Sequence, residues 1–153
     1  SKKMKTLVAY YSLQGHTEKT ARLISKFMKA DLEIIQDTKS RDHLKSWQGG
    51  AFDEELRTPT KILPTTYNPS DYDLVIIGTP IWDGITPAVK TYLKKNKFKK
   101  TAFFITFAAA AEDAAYQMEK LSKKPKAILE LQDRQIQLGE HRKIIKNFCR
   151  KLR

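Results

Sequence analysis

Two short stretches put hydrogen-bonding and aromatic residues at spacings that suit a ligand. The first is Ser12-Leu-Gln-Gly-His-Thr17. Its two terminal hydroxyls can donate to phosphate oxygens, Gly15 permits a positive φ or a close backbone approach, and His16 adds a donor. If a helix starts near Thr17, its free N–H groups and dipole also favour an anion. Plain N-capping uses the same residue types, so the hexapeptide alone leaves both readings open. It lacks the G-x-G-x-x-G and G-x-x-x-x-G-K-[ST] patterns, which argues against NAD and ATP. The second stretch is Thr79-Pro-Ile-Trp-Asp-Gly84, followed by Ile85-Thr-Pro87. Trp82 can stack on a planar ligand, and Asp83-Gly84 is a turn pair with more than one accessible backbone conformation. A structural turn with a partly covered tryptophan is the alternative.

Each stretch follows a run that reads as a buried strand. Lys5–Tyr11, Asp73–Gly78 and Thr101–Thr106 are apolar, β-branched or aromatic almost throughout, as strands covered on both faces are. Asp31–Gln36 alternates more and fits an edge, and Lys126–Leu131 gives a fifth strand. Helical periodicity fills the gaps, with Ala21, Ile24 and Met28 on one face and Ile144, Ile145, Phe148 and Leu152 on another. Pro87–Leu93 and Glu112–Leu121 are further helices. Alternating strands and helices specify a parallel sheet covered on both sides, which places ligands beyond the carboxyl ends of the strands. Residues 37–72 break the rhythm with Gly49-Gly50, Pro59, Pro64 and Pro69, leaving room for short helices near Ser40–Trp47 and Phe52–Arg57.

The chain has 153 residues, which suits one domain spanning 1–153. A single cysteine, Cys149, excludes an intrachain disulfide framework and a CxxC centre, and its place on the last helix's apolar stripe marks it as a buried structural thiol. The apolar runs are far shorter than the ~20 residues of a membrane span, and the Ser1-Lys-Lys-Met4 start has no signal-peptide pattern, so the expected location is cytoplasmic. His43 and His141 lack metal-ligand spacing, so no metal is expected, and Asp53-Glu-Glu55 reads as an exposed acidic turn. The formal charge is +12, and it is lopsided: residues 1–89 carry +1 and residues 90–153 carry +11. Most of those cations fall at helix ends or on exposed helix faces, where the helix dipole explains them. Docking to an acidic protein is the next reading, and nucleic acid is a weaker one for want of interleaved aromatics.

Taken in order, Val8-Ala-Tyr-Tyr-Ser-Leu-Gln-Gly-His-Thr17 and Val75-Ile-Ile-Gly-Thr-Pro-Ile-Trp-Asp-Gly84 resemble the flavodoxin family. The first matches a strand followed by that family's S/T-x-x-G-x-T loop, and the second its strand-G-x-P-x-W-x-G loop. The resemblance implies an α/β fold, a flavodoxin-like three-layer α/β/α sandwich on a five-stranded parallel sheet of order 2-1-3-4-5. It also implies FMN as the cofactor. Ser12, Gln14, Gly15, His16 and Thr17 would cradle its phosphate, and Thr79, Pro80, Ile81, Trp82, Asp83 and Gly84 would line its ring. A third loop would begin at Thr106, Phe107 and Ala108. In the family, a second-loop carbonyl turns toward flavin N5 when that atom gains a proton, which points here to Asp83-Gly84.

The activity so implied is electron transfer, with FMN cycling between oxidised, semiquinone and reduced states and a redox partner protein, an acidic one given the charge. Three features depart from the family pattern. The third loop is alanine-rich from Phe107 to Ala115, a composition that favours helix and removes side-chain partners for the flavin's pyrimidine edge. The chain is basic where small carriers of the family are acidic. Residues 37–72 exceed one crossover helix, and Trp47 or Tyr67 would then cap the ring. Two rivals stand beside the carrier: an FMN-dependent NAD(P)H:quinone-type oxidoreductase, and a flavin-free fold that binds an anionic partner through its basic half.

Overall fold

The buried runs pair with one another as five parallel strands. A computed structural model describes residues 3–46 and 52–153. The strands are β1 (Thr6–Tyr10), β2 (Asp31–Ile34), β3 (Leu74–Pro80), β4 (Thr101–Phe107) and β5 (Ile128–Gln132), in the spatial order β2-β1-β3-β4-β5. Every pairing is parallel, and Val8 stands opposite Leu32 on one side and Ile76 on the other. Parallel neighbours require crossovers. These contain α1 (His16–Met28), α2 (Asp53–Arg57), α3 (Pro87–Lys95) and α4 (Ala114–Leu121), while α5 (Asp133–Gln137) and α6 (Arg142–Leu152) follow the last strand. The layered sandwich and strand order anticipated from the sequence are both present.

Alternation along the strands builds two cores. Val8, Tyr10, Ile76 and Phe104 face one way and pack with Ala21 and Ile24 of α1 and Phe148 of α6. Leu7, Ala9, Ile77 and Phe103 face the other way, against Val89 and Tyr92 of α3 and Met118 of α4. Cys149 is fully buried in the first core, where loss of solvent pushes its thiol up to about 11, so it stays an uncharged packing residue. Gly78 follows the apolar run of β3, and the ring of Phe104 lies across the space where a side chain would begin.

The excursion between β2 and β3 has an order of its own. Residues 36–38 pair antiparallel with 61–63 through a bridge between Asp37 and Ile62, with Thr38 N–H donating to Lys61 O and Leu63 N–H to Gln36 O. Inside this ladder stand a 3₁₀ turn at Asp42–Ser46 and the short α2, close to the two short helices expected there. Arg41 holds them together. Its side chain is 1% exposed, with Nε 2.9 Å from Asp37 Oδ2 and Nη1 3.2 Å from Glu55 Oε1. His43 adds a contact to Glu55 at 2.8 Å, so Glu55 belongs to a structural network rather than to a free acidic turn. Trp47 and Gly49-Gly50 lie outside the described residues.

Two outcomes follow from this packing. Gly78→Ala forces a methyl into the Phe104 ring and should cost roughly 1–3 kcal/mol or more, read as a lower urea midpoint. Adding Phe104→Leu should recover part of that loss, whereas equal midpoints for wild type and Gly78→Ala would refute the crowding. Arg41→Met leaves the Asp37 carboxylate buried without its cation, at a cost of about 3 kcal/mol or more. Amide exchange should then rise across 37–46 and 52–62 while 74–80 stays protected; unchanged exchange would show that Arg41 is not the anchor.

Candidate functional site

The chain leaves β1 at the edge where strand order reverses. β1 and β3 are neighbours, but the crossovers after them lead to opposite ends of the sheet, so the loops part and leave a crevice. In the first loop Ser12 Oγ accepts the Gly15 N–H at 3.1 Å, and Gly15, with φ +100°, turns the chain into α1. A Cβ at Gly15 would meet nothing within 4 Å, so it is the positive φ and not crowding that asks for glycine. Thr17 is buried and shares a 2.8 Å hydrogen bond with Thr106 at the end of β4, which ties the first loop to the third. Gln14 reaches across to the excursion, donating to Lys45 O at 2.8 Å.

The second loop follows Pro80. Ile81 bridges back to Ile85, and between them Asp83 and Gly84 are both left-handed, with φ +57° and +103°. Trp82 is held by its backbone N–H donating to Gly84 O at 2.9 Å and by the edge-on ring of Tyr11, 5.4 Å away at 83°. The Tyr11 phenol is pushed up to about 12, first by burial and then by Asp37, so it is neutral at physiological pH. Asp83 also pairs with Arg57 of α2 at 3.0 Å, which fastens the excursion to this loop.

The alanine run does not form helix. Ala108, Ala109 and Ala110 are exposed, Ala108 O accepts from Gln132 Nε2 at 3.1 Å, and the left-handed Glu112 (φ +52°) precedes a helix that begins only at Ala114. Helix propensity is a small term here. The chain must first pass over the end of β4, and the contact to Gln132 holds it there.

The three loops, with Leu44 of the excursion and Asp133 at the start of α5, enclose a cleft of about 610 Å³. Ser12, Gln14, His16 and Thr17 stand on one side; Pro80, Ile81, Trp82 and Asp83 on another; and Thr106, Phe107 and Ala108 on the third. Of the expected residues, Gly15 and Gly84 shape the loops through their backbone, and Thr79 turns inward. Thr79 is fully buried, and its hydroxyl donates to Pro80 O at 2.8 Å and meets Thr86 Oγ1 at 3.3 Å. Tyr67 does not border the cleft. Its N–H donates to Glu33, and its ring packs on Tyr72, which precedes β3, so it sits toward the amino ends of the strands.

Leu13, Ala109, Ala110 and Glu112 line the cleft from within the three expected loops, whereas Leu44 and Asp133 reach it from outside them. Asp133 had no signal, because α5 is only five residues and follows β5 directly. Burial raises the Asp133 carboxyl above the usual range, and the charge of His16 nearby pulls it back. The ionisable side chains that line the cleft among the described residues are His16, Asp83, Glu112 and Asp133, with no lysine or arginine. The groups that an anion would meet here are the start of α1, hydroxyls and one imidazole.

A family model described as flavodoxin matches residues 5–151. No curated protein matches the chain. Among solved structures, the fold is similar to a flavoprotein from Lactobacillus acidophilus NCFM in complex with FMN. That pair is 23% identical with a TM-score of 0.65, over 90% of this chain and 97% of the other. A candidate flavoprotein from Bacteroides uniformis ATCC 8492 is 21% identical with a TM-score of 0.72, over 97% and 99%. Oxidised flavodoxin 2 from Bacillus cereus is 20% identical with a TM-score of 0.59, over 96% of each chain. With both loops in sequence order, the reversed strand order between them and a match over nearly its full length, the chain belongs to the flavodoxin family.

Proposed function

We propose that the protein binds one FMN non-covalently in the cleft and serves as an electron-transfer flavoprotein. The observation that carries this reading is the cleft itself, which offers an anion site at one end and an aromatic wall at the other. Its 610 Å³ falls within the about 300–1,000 Å³ of small-molecule sites. Ser12, His16, Thr17 and the backbone at the start of α1 form a donor set suited to a phosphate. Trp82, Leu44, Ile81 and Phe107 offer apolar surface to a flat ring. The FMN complex of the Lactobacillus protein supports the same choice of ligand.

FMN, when bound, supplies reversible one- and two-electron chemistry. The chain's part is to hold the ring, limit its solvent and set the charge around it. Trp82 enters already oriented by Tyr11 and by its own N–H, so less ordering is left to pay for on binding. Glu112 and Asp133 add negative charge that opposes further negative charge on the ligand. Asp83 and Gly84 place adjacent peptide groups in left-handed conformations, where a carbonyl can turn to accept a hydrogen bond from a protonated ring nitrogen at low steric cost.

Trp82→Ala should weaken FMN binding by roughly 10- to 100-fold in a fluorescence titration, the range of one lost aromatic stack, and Trp82→Phe should lie between. An unchanged Kd for Trp82→Ala would refute the stacking role. The FMN-loaded protein should pass electrons from dithionite to a one-electron acceptor without oxidising NAD(P)H by itself. Steady NAD(P)H oxidation would identify it as a reductase instead.

A further inference from the structure

Nine of the thirteen lysines between residues 90 and 153 gather at the end of the sheet away from the cleft. Five lie between residues 94 and 100 and four between 120 and 126. These segments are the C-terminal turns of α3 and α4 and the loops that lead into β4 and β5. Because β4 and β5 are parallel neighbours, both loops lie side by side at the amino ends of the strands. Lys123 Nζ fastens them, donating to Lys99 O at 2.8 Å and Phe98 O at 3.3 Å. All nine side chains are exposed, and none is in an ion pair among the described residues. Neither segment contains an acidic residue; the nearest in sequence before the second are Asp113 and Glu119.

Helix dipoles account for one or two cations at each of the two helix ends, not for nine lysines packed within each other's electrostatic range. Such crowding is self-repulsive and weakens the fold unless a polyanion relieves it. The chemistry of the surface narrows the choice of polyanion. There is no arginine in either segment to fork onto a phosphate, and Phe98, the aromatic residue among the first five lysines, is half-buried against Tyr92 instead of free to stack. Neither segment borders the cleft. A surface of lysine point charges without arginine forks, whose exposed aromatic is the amphipathic Tyr116 under Lys120, matches the headgroup layer of an anionic membrane.

We propose that this lysine-covered end docks the protein on an anionic lipid surface, with the cleft facing away from the bilayer. β4 spans seven residues between the lysines and the third loop, so the two ends stand about 20 Å apart and do not compete. The proposal does not rest on the flavin reading, because the lysine end needs no cofactor.

The test is co-sedimentation of the 153-residue protein with vesicles made of equal parts phosphatidylcholine and phosphatidylserine. Binding should be strong at low salt, fall steeply as salt rises and be absent on phosphatidylcholine alone. A triple variant, Lys97→Glu, Lys99→Glu and Lys124→Glu, should lower partitioning by at least about 100-fold, at roughly fivefold or more per lysine. Lys39→Glu, Lys61→Glu and Lys143→Glu together make the same change in net charge elsewhere and should cost far less. Absence of binding at low salt, equal loss in the two triple variants, or tighter binding of a single-stranded oligonucleotide than of the vesicles would each overturn the proposal. FMN titration of the same variants keeps the two readings apart, since the lysine changes should leave flavin affinity unchanged.

Discussion

The structure depends on one topological constraint: β1 and β3 are paired, yet the chain leaves them in opposite directions across the sheet. A right-handed crossover then puts α1 on one face and α3 on the other. The loops after β1 and β3 must diverge, and no backbone can fill the gap between them. The Thr17–Thr106 hydrogen bond matters for this reason, because it closes the floor of the crevice that the diverging loops leave open. Gly15 and the Asp83-Gly84 pair serve the same constraint, turning each chain sharply away from the sheet with positive φ.

What could be read from the sequence follows from how local each signal is. Lys5–Tyr11 and Asp73–Gly78 announce buried strands because both faces of each are covered, so apolar content survives any register. The two loops were legible because each does its work within six residues, through glycine, hydroxyls and a tryptophan. Asp133 and Leu44 were not legible. One stands on a five-residue helix with too few turns to show periodicity, and the other on a 3₁₀ turn inside a proline-interrupted segment. Both reach the cleft only because distant chain segments bring them there. Thr79 shows the reverse case, a residue within a readable motif whose side chain serves the loop's interior. Tyr67 is similar, being aromatic and well placed in sequence but drawn to the far end of the sheet by Glu33 and Tyr72.

The excursion is the part of the fold with the weakest sequence signal, and Arg41 ties it together by pairing with both a residue four positions away and one fourteen positions away. A guanidinium almost without solvent contact needs its carboxylates, because an unpaired buried charge costs more than the pair gains. Asp37 and Glu55 meet that need from two sides of the excursion, and Thr60 donates to Asp37 at 2.7 Å. The segment is thereby pinned at three places that matter for the cleft: Leu44 on its wall, Lys45 O under Gln14, and Arg57 on Asp83. An irregular chain can hold a ligand wall only when such ties replace the hydrogen-bond ladder it lacks.

Charge divides the molecule along the strands. In a parallel α/β sheet every crossover helix starts near the carboxyl ends of the strands and finishes near the amino ends. Helix dipoles therefore favour anions at the cleft and cations at the opposite end. The sequence exaggerates the second half of that pattern with lysines and works against the first. Glu112 and Asp133 place carboxylates where the dipoles would welcome a ligand's negative charge. Those carboxylates weaken the attraction of an anionic ligand, so affinity must come from the backbone donors of the first loop and from apolar contact with Trp82. Affinity built that way is less sensitive to salt than a lysine-lined site, because hydrogen bonds to backbone amides and stacking are short-ranged. A flavin end held by contact and a lysine end acting through its field can then respond independently to ionic conditions.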